Sequence, residues 1–275
     1  MKNQSIMVVE GLQRRYESKG GVKSVIFLVA SFLFGAGSLL LWVTFLSRGA
    51  LGVVDLGLGP VGTLFFDGVL CLMFFAQHST MVRPSFKKRL GRWIGQEYHG
   101  AAYAIASGVV VSGLVLLWQG PVRTFIVLGD IGRAVIQVAS LSALAGFIWG
   151  VASLGGFDML GSVSIIRSLR GRAPSVSGPL TVRGPYRFVR HPLYLFCLIA
   201  IWSVAEISVD RLLYNILWTG WIVVGTVLEE RDLVAVFGDA YHAYRAKVPM
   251  LFPWKRPADS TSGVPLADNS ATGGV

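Results

Sequence analysis

"RHPLYLFCLIAIWSVAEISVDRLLYNILWTGWIVVGTVLEERDL", residues 190–233, decides the fold. The hydrocarbon core of a bilayer takes about 20 apolar residues in a helix. This stretch is too long for one crossing, and Glu206, Asp210 and Arg211 interrupt it once. It reads as two helices joined by a tight polar turn. A hairpin returns the chain to the side it left. Arg190 and His191 at one end, and Glu229 and Glu230 at the other, are therefore expected at one interface. The first arm, 192–205, is short for a span and is expected to be tilted or only partly inserted.

Working outward, four further runs are long and apolar enough to cross: 24–46, 61–77, 101–118 and 131–154. The chain of 275 residues is 53% hydrophobic and only 15% charged, where a soluble domain is nearer a quarter charged. The expected fold is an all-α polytopic transmembrane bundle of about six spans, the alternative being five plus a re-entrant helix. The expected organisation is an N-terminal cytoplasmic segment over 1–23 and helices one to four over 24–154. A cytoplasmic loop, hairpin and ligand-binding region follows over 155–254. A small, polar, Pro- and Gly-containing tail over 255–275 is expected to be disordered.

The basic residues orient this map. Arg48, Arg123, Arg133 and Arg211 fall on one side, and the other 21 of the 25 Lys and Arg fall on the opposite one. The positive-inside rule places both termini in the cytoplasm. The net charge of +10 is then a product of topology and not a nucleic-acid patch, and anionic headgroups are the expected partner of the inner loops. Cys71 and Cys197 lie inside apolar runs and read as small buried hydrophobes. "GLGPVG" (57–62) fits a dinucleotide pattern by letter but falls in a loop between spans, without the βαβ setting that gives the pattern meaning. No His, Cys or acidic residues have zinc-ligand spacing, so no metal is expected. "GFIWG" (146–150) has the small-xxx-small spacing of a helix-packing seam.

Four polar clusters fall on the cytoplasmic side of this map: Gln77–His78–Ser79, Asp158 within "GFDMLG", "GPYRFVRHPLYL" (184–195), and Glu229–Glu230–Arg231–Asp232. Each has a structural reading. Arg190 can snorkel to headgroups, Pro192 can start a helix, and Tyr186 and Tyr194 can be interface aromatics. A carboxylate pair at a helix C-terminus, however, opposes the macrodipole. Asp67 is costly within a span but lies eleven residues from His78, about 16 Å along a helix, and reads as structural.

"RHPLY", a hydrophobic hairpin and "EERDL…FGDAYHAYRAKVP" together resemble the C-terminal signature of the isoprenylcysteine carboxyl methyltransferase-like integral membrane methyltransferases, over roughly 183–252. "FFAQHSTMVRPSFKKRL" (74–90) and "GFDMLG" (156–161) extend the resemblance to the bacterial methanethiol S-methyltransferase branch. The resemblance implies S-adenosylmethionine as methyl donor, a small hydrophobic thiol as acceptor, dimethyl sulfide as product, and a bacterial inner membrane. It places His191, Tyr194, Glu229 and Glu230 at the donor. Where the family commonly has a small residue after "HPLYL", this chain has Phe196, which is expected to narrow the donor site.

The donor needs acceptors for its ammonium, hydroxyls and adenine amine, and Glu229 and Glu230 suit that need. Its carboxylate needs donors, and Arg187, Arg190 and His191 suit that one, with Tyr186 alongside and Tyr194 on the face of His191. A thiol attacks as thiolate, so a base near neutral is useful. His78 is the first candidate, with Gln77 and Ser79 as orienters, and Asp158 is the second. The rival acceptors are a prenylcysteine carboxylate or a lipid amine. The rival class is a transporter or structural membrane subunit, for which repeats and polar groups near the midplane are expected; this chain gathers its polar groups at one interface.

Overall fold

The computed structural model describes residues 21–155, 158–172 and 180–264. It is mostly helical, and five helices are long and apolar enough to cross a membrane: α1 Gly21–Arg48, α2 Pro60–Met81, Gln96–Leu117, Asp130–Ser153 and Val209–Phe237. The shorter helix α3, Pro84–Ile94, follows α2. A single 3-10 turn precedes α4, His99–Leu117. Strand β1, Thr124–Val127, leads into α5, Asp130–Ser153. Helix α6 is Ser162–Leu169, followed by strand β2, Leu180–Val182. Then come α7 Pro192–Trp202, β3 Glu206–Ser208, α8 Val209–Phe237, α9 Asp239–Lys247 and β4 Thr261–Val264. Large apolar side chains such as Phe32, Leu40, Phe65, Val135 and Leu141 are exposed along the long helices, as lipid-facing surfaces require.

Two units divide the chain. One holds the described residues of 1–43, 72–116 and 158–175, and the other those of 44–71, 117–157 and 176–275. In the first, the start of α4 meets the loop before α6 backbone to backbone. A Cβ on Gly100 would lie 2.8 Å from the Gly161 Cα. Gly161 also has φ +68°, a conformation only glycine adopts freely. The last glycine of "GFDMLG" is thus a folding requirement, while Gly156 and Phe157 of that motif lie outside the described residues.

In the second unit, α5 and α7 run side by side in opposite directions. The Leu193 side chain fills the space beside Gly150, and the Phe196 ring covers Gly146. "GFIWG" is therefore the expected seam, and Phe196 occupies it by lying on α5. Further along, Arg133 Nη2 donates to Glu206 Oε1 at 3.2 Å, and β3 pairs antiparallel with β1. Residues 193–206 thus run beside 133–150, which is about 26 Å of helix. Helix α7 alone supplies 11 residues, about 16 Å. Ser203–Ala205 leave the helix through a tight turn, the Val204 amide donating to the Trp202 carbonyl at 3.0 Å, and lead into β3.

The polar residues that break the hydrophobic stretch are structural ties. Asp210 Oδ1 accepts from the Val122 amide at 2.8 Å, and Oδ2 accepts from Trp118 Nε1 at 3.2 Å. Arg211 Nη1 and Nη2 donate to the Phe45 and Leu46 carbonyls, closing the C-terminal end of α1. Asp67 Oδ1 accepts from the Gln119 amide at 2.9 Å. The carboxylate pair does not stand at the C-terminus of its helix, since α8 runs on to Phe237. The helix carries Glu229 and Glu230 within its body and ends at Gly238, whose φ is +53°.

The polar tail begins with a docked segment. The Ala258 amide donates to the Arg187 carbonyl at 2.9 Å, Arg187 Nε donates to the Ala258 carbonyl at 2.6 Å, and β4 pairs with β2. These hydrogen bonds hold residues that composition alone reads as disordered. Residues 265–275 of that tail, and residues 1–20 of the N-terminal segment, lie outside the described residues.

Candidate functional site

Backbone pairing fixes "RHP" before any side chain acts. Arg190 and His191 precede the helix that Pro192 starts, so their amides have no intrahelical partner. They donate instead to the carbonyls of Pro249 and Met250, at 2.9 and 3.1 Å. The segment after α9 is thereby strapped along the entrance to α7.

The side chains converge on Glu230. Arg190 Nε donates to Glu230 Oε1 at 2.5 Å, His191 Nε2 lies 3.2 Å from the same oxygen, and the Tyr241 hydroxyl donates to it at 3.4 Å. Arg245 Nε lies 3.4 Å from Glu230 Oε2. Arg190 Nη1 turns away to the carbonyls of Arg245 and Val248. The guanidinium thus joins α8 to the end of α9 through charge-assisted and main-chain bonds. With both its side chain and that of Glu230 only 8% exposed, this pair is a buried hub.

Glu229 differs from its neighbour. Its side chain is 44% exposed, and its Oε2 lies 3.7 Å from His191 Nδ1. The other side of His191 is covered by Tyr194, with rings stacked at 5.7 Å and 14°. The expected Glu pair thus separates into a buried carboxylate that holds the site together and a half-exposed one at its edge. Arg190, expected to greet a ligand carboxylate, is occupied by Glu230 and two carbonyls. Arg187 is tied by Nε to Ala258. The Tyr186 carbonyl accepts from the Tyr244 hydroxyl at 2.7 Å, while burial, then the Glu229 charge, raises the Tyr186 phenol above its ordinary range.

Burial holds the His191 imidazole below its ordinary 6.5, against the pull of Glu229 and Glu230 and with the push of Arg190. The neutral ring then donates from Nε2 to Glu230, because an ionised carboxylate only accepts. A folded pKa below the unfolded one means that the unfolded chain takes up the proton first as pH falls. His191 therefore leaves stability unaffected above about pH 6.5 and erodes it below that value. His191→Gln keeps an amide donor and removes the titration. Its melting temperature should fall less steeply than that of the wild type below pH 6.5; parallel curves would contradict this assignment.

The other unit carries His78 and Asp158. The Tyr103 hydroxyl lies within hydrogen-bond distance of the His78 ring, at 2.7 Å from Nε2. Gln77 does not serve as the expected orienter, since its amide donates to Ser107 Oγ and the Met81 sulfur. Asp158 is occupied by the start of α6. Its Oδ1 accepts from the Ser162 amide at 2.9 Å, and its Oδ2 from the Val163 amide at 2.7 Å. This is anion stabilisation at a helix N-terminus.

Tyr103, Tyr241 and Arg245 were not singled out by reading the sequence. Tyr103 answers to a histidine on another helix, and no spacing announces that. Tyr241, Tyr244 and Val248 do form a buried i, i+3, i+7 stripe along and just past α9, and that period was a usable signal.

No family model and no solved structure matches the chain. Curated relatives do. A protein of a Pseudomonas species (strain GM41) named methanethiol S-methyltransferase is 32% identical over 254 residues, covering 87% of this chain and 94% of the relative. One of that name from Pseudomonas deceptionensis is 35% identical, covering 69% of this chain and 72% of the relative. Another from Mycobacterium tuberculosis is 31% identical, covering 71% and 80%. Those alignments run through most of a chain whose conspicuous polar cluster is "RHP" held to "EER", and the chain belongs to the methanethiol S-methyltransferase family.

Proposed function

We propose that this protein methylates methanethiol to dimethyl sulfide, with S-adenosylmethionine as donor, at the cytoplasmic face of a bacterial inner membrane. The observation that carries the reading is the split of the glutamate pair, with Glu230 buried as a hub and Glu229 half-exposed beside a neutral His191. The relatives' names support the thiol as acceptor.

The residues fit such a donor. Glu229 offers an acceptor at the edge of the cluster, for an ammonium or a hydroxyl, and the Tyr194 and His191 rings offer flat surface. When bound, S-adenosylmethionine supplies a methyl group already activated on a sulfonium. The protein's part is alignment, which can contribute roughly 7–11 kcal/mol to lowering the barrier, and removal of the thiol proton. The His78–Tyr103 pair is the proposed proton acceptor. Glu230, Arg190, Tyr241 and Arg245 position His191 and do not themselves reach the ligand.

We also propose six passes with both termini cytoplasmic. Helix α7 with Ser203–Ala205 supplies the fifth pass, supported by its run beside α5 and the pairing of β3 with β1.

The test is calorimetry with S-adenosylmethionine on the purified protein, then headspace detection of dimethyl sulfide from added methanethiol. Binding and product are expected; a failure of either removes the reading. Glu229→Gln should weaken donor binding about tenfold or more, the scale of a lost charged hydrogen bond, with no change in melting temperature. Should product instead form only from a prenylcysteine, the donor assignment stands and the thiol assignment falls.

A further inference from the structure

A cleft of about 340 Å³ lies at the elbow where α2 passes into α3. Its volume is within the usual range of about 300–1,000 Å³ for ligand pockets. Ser79 and Thr80 line it from α2, Arg83 stands in the elbow, and Ser85, Phe86 and Arg89 line it from α3.

Two guanidiniums and three hydroxyls around one cleft are a donor set. Among the described residues no carboxylate lines it, and neither Arg83 nor Arg89 forms an ion pair. Guanidinium forks match phosphate oxygens geometrically. The cleft is also distinct from the His78 pair. Successive residues of a helix turn by about 100°, so Ala76, Ser79 and Thr80 lie on a different face of α2 from Gln77, His78 and Met81. The latter face meets Ser107 and Tyr103 of α4.

What surrounds the cleft identifies the source of the phosphate. Helix α3 is short and two-sided. Phe86, Leu90 and Ile94 form its half-buried stripe, Lys87, Lys88 and Arg92 are exposed, and Trp93 is 84% exposed. A cationic helix that also displays a tryptophan, set directly after a span, is built to lie in the headgroup layer. We infer that the α2–α3 elbow is a binding site for the phosphate of an anionic glycerophospholipid, with Arg83 and Arg89 as the paired cations and Ser79, Thr80 and Ser85 as hydroxyl donors. Phe86 lines the side next to the acyl region. The proposal takes from the preceding reading only the leaflet, and it is independent of the methyl-transfer assignment.

The test uses the full chain in detergent, with phosphatidylglycerol or phosphatidylcholine added and bound lipid counted by native mass spectrometry. Wild type should retain phosphatidylglycerol in preference to phosphatidylcholine. Arg83→Gln with Arg89→Gln should lower that retention about tenfold or more, two cations near a surface being the charges removed. Lys88→Gln with Arg92→Gln removes the same charge from α3 outside the cleft and should lower it much less. An equal loss in both pairs would reduce the site to diffuse charge and overturn it, as would equal retention of the two lipids by wild type. Displacement of the lipid by inorganic phosphate at low millimolar concentration would show a free-anion site and also overturn it. S-adenosylmethionine binding should be unchanged in both pairs, and melting temperature reports whether each has folded.

Discussion

Glu230→Ala should destabilise the protein by about 3–5 kcal/mol, because removing one partner leaves buried charges uncompensated. The carboxylate serves two guanidiniums, an imidazole and a phenol. Its loss strands Arg190, whose side chain is 8% exposed, and frees Tyr241 and Arg245 of α9. Denaturant unfolding in detergent measures the first effect, and calorimetry with S-adenosylmethionine should show binding lost with it. A second variant separates the two. Replacing both Arg190 and Glu230 by Met exchanges most of the ion-pair hub for apolar volume, a change that is often near neutral in stability. That double variant should regain much of the lost stability and little of the donor binding, because His191 remains without its anchor. Full recovery of binding would mean that the hub does not position His191.

His78→Ala should lower kcat/KM for methanethiol by about 10²–10⁴ near neutral pH, the usual contribution of general-base catalysis, and leave donor binding unchanged. The defect has a signed pH dependence. Without a base, attack depends on thiolate already present in solution. Below the thiol's own pKa that fraction rises about tenfold per pH unit. The ratio of wild-type to variant rate should therefore shrink as pH rises. Tyr103→Phe removes the hydroxyl beside His78 and should give a smaller loss with the same trend. An acceptor that is already an anion, such as a carboxylate, needs no proton removed, so its methylation should be nearly indifferent to His78. An undiminished thiol rate in His78→Ala would rule out the pair as proton acceptor.

The long helices were legible in the sequence because one physical length, the thickness of hydrocarbon, dictates them. Residues 24–46, 61–77, 101–118 and 131–154 each fall inside a helix or differ from one by a residue or so. The segment at 192–205 was ambiguous for the same reason. A helix of 11 residues followed by a non-helical turn has no hydropathy signature of a span, and only its neighbours show where it goes. The polar residues were found more readily than their duties. Glu229 and Glu230 look alike in sequence, and a helix turn of about 100° per residue sends one into the hub and the other to the surface. Asp158 stood in a quoted motif, yet its oxygens belong to the amides of α6. Phe196 packs its ring against Gly146 of α5, a contact that its place after "HPLYL" does not announce.

The strap across "RHP" sets an order of events in the life of the chain. Val248, Pro249, Met250 and Ala258 supply the carbonyls that hold Arg190, His191 and Arg187. All four lie downstream of every helix long enough to cross a membrane. A nascent chain can therefore complete its insertion into the bilayer while its polar cluster is still unassembled. Chains interrupted just after Phe237 would reside in the membrane without the carbonyls that hold "RHP", so assembly of the polar cluster waits on residues 248–258.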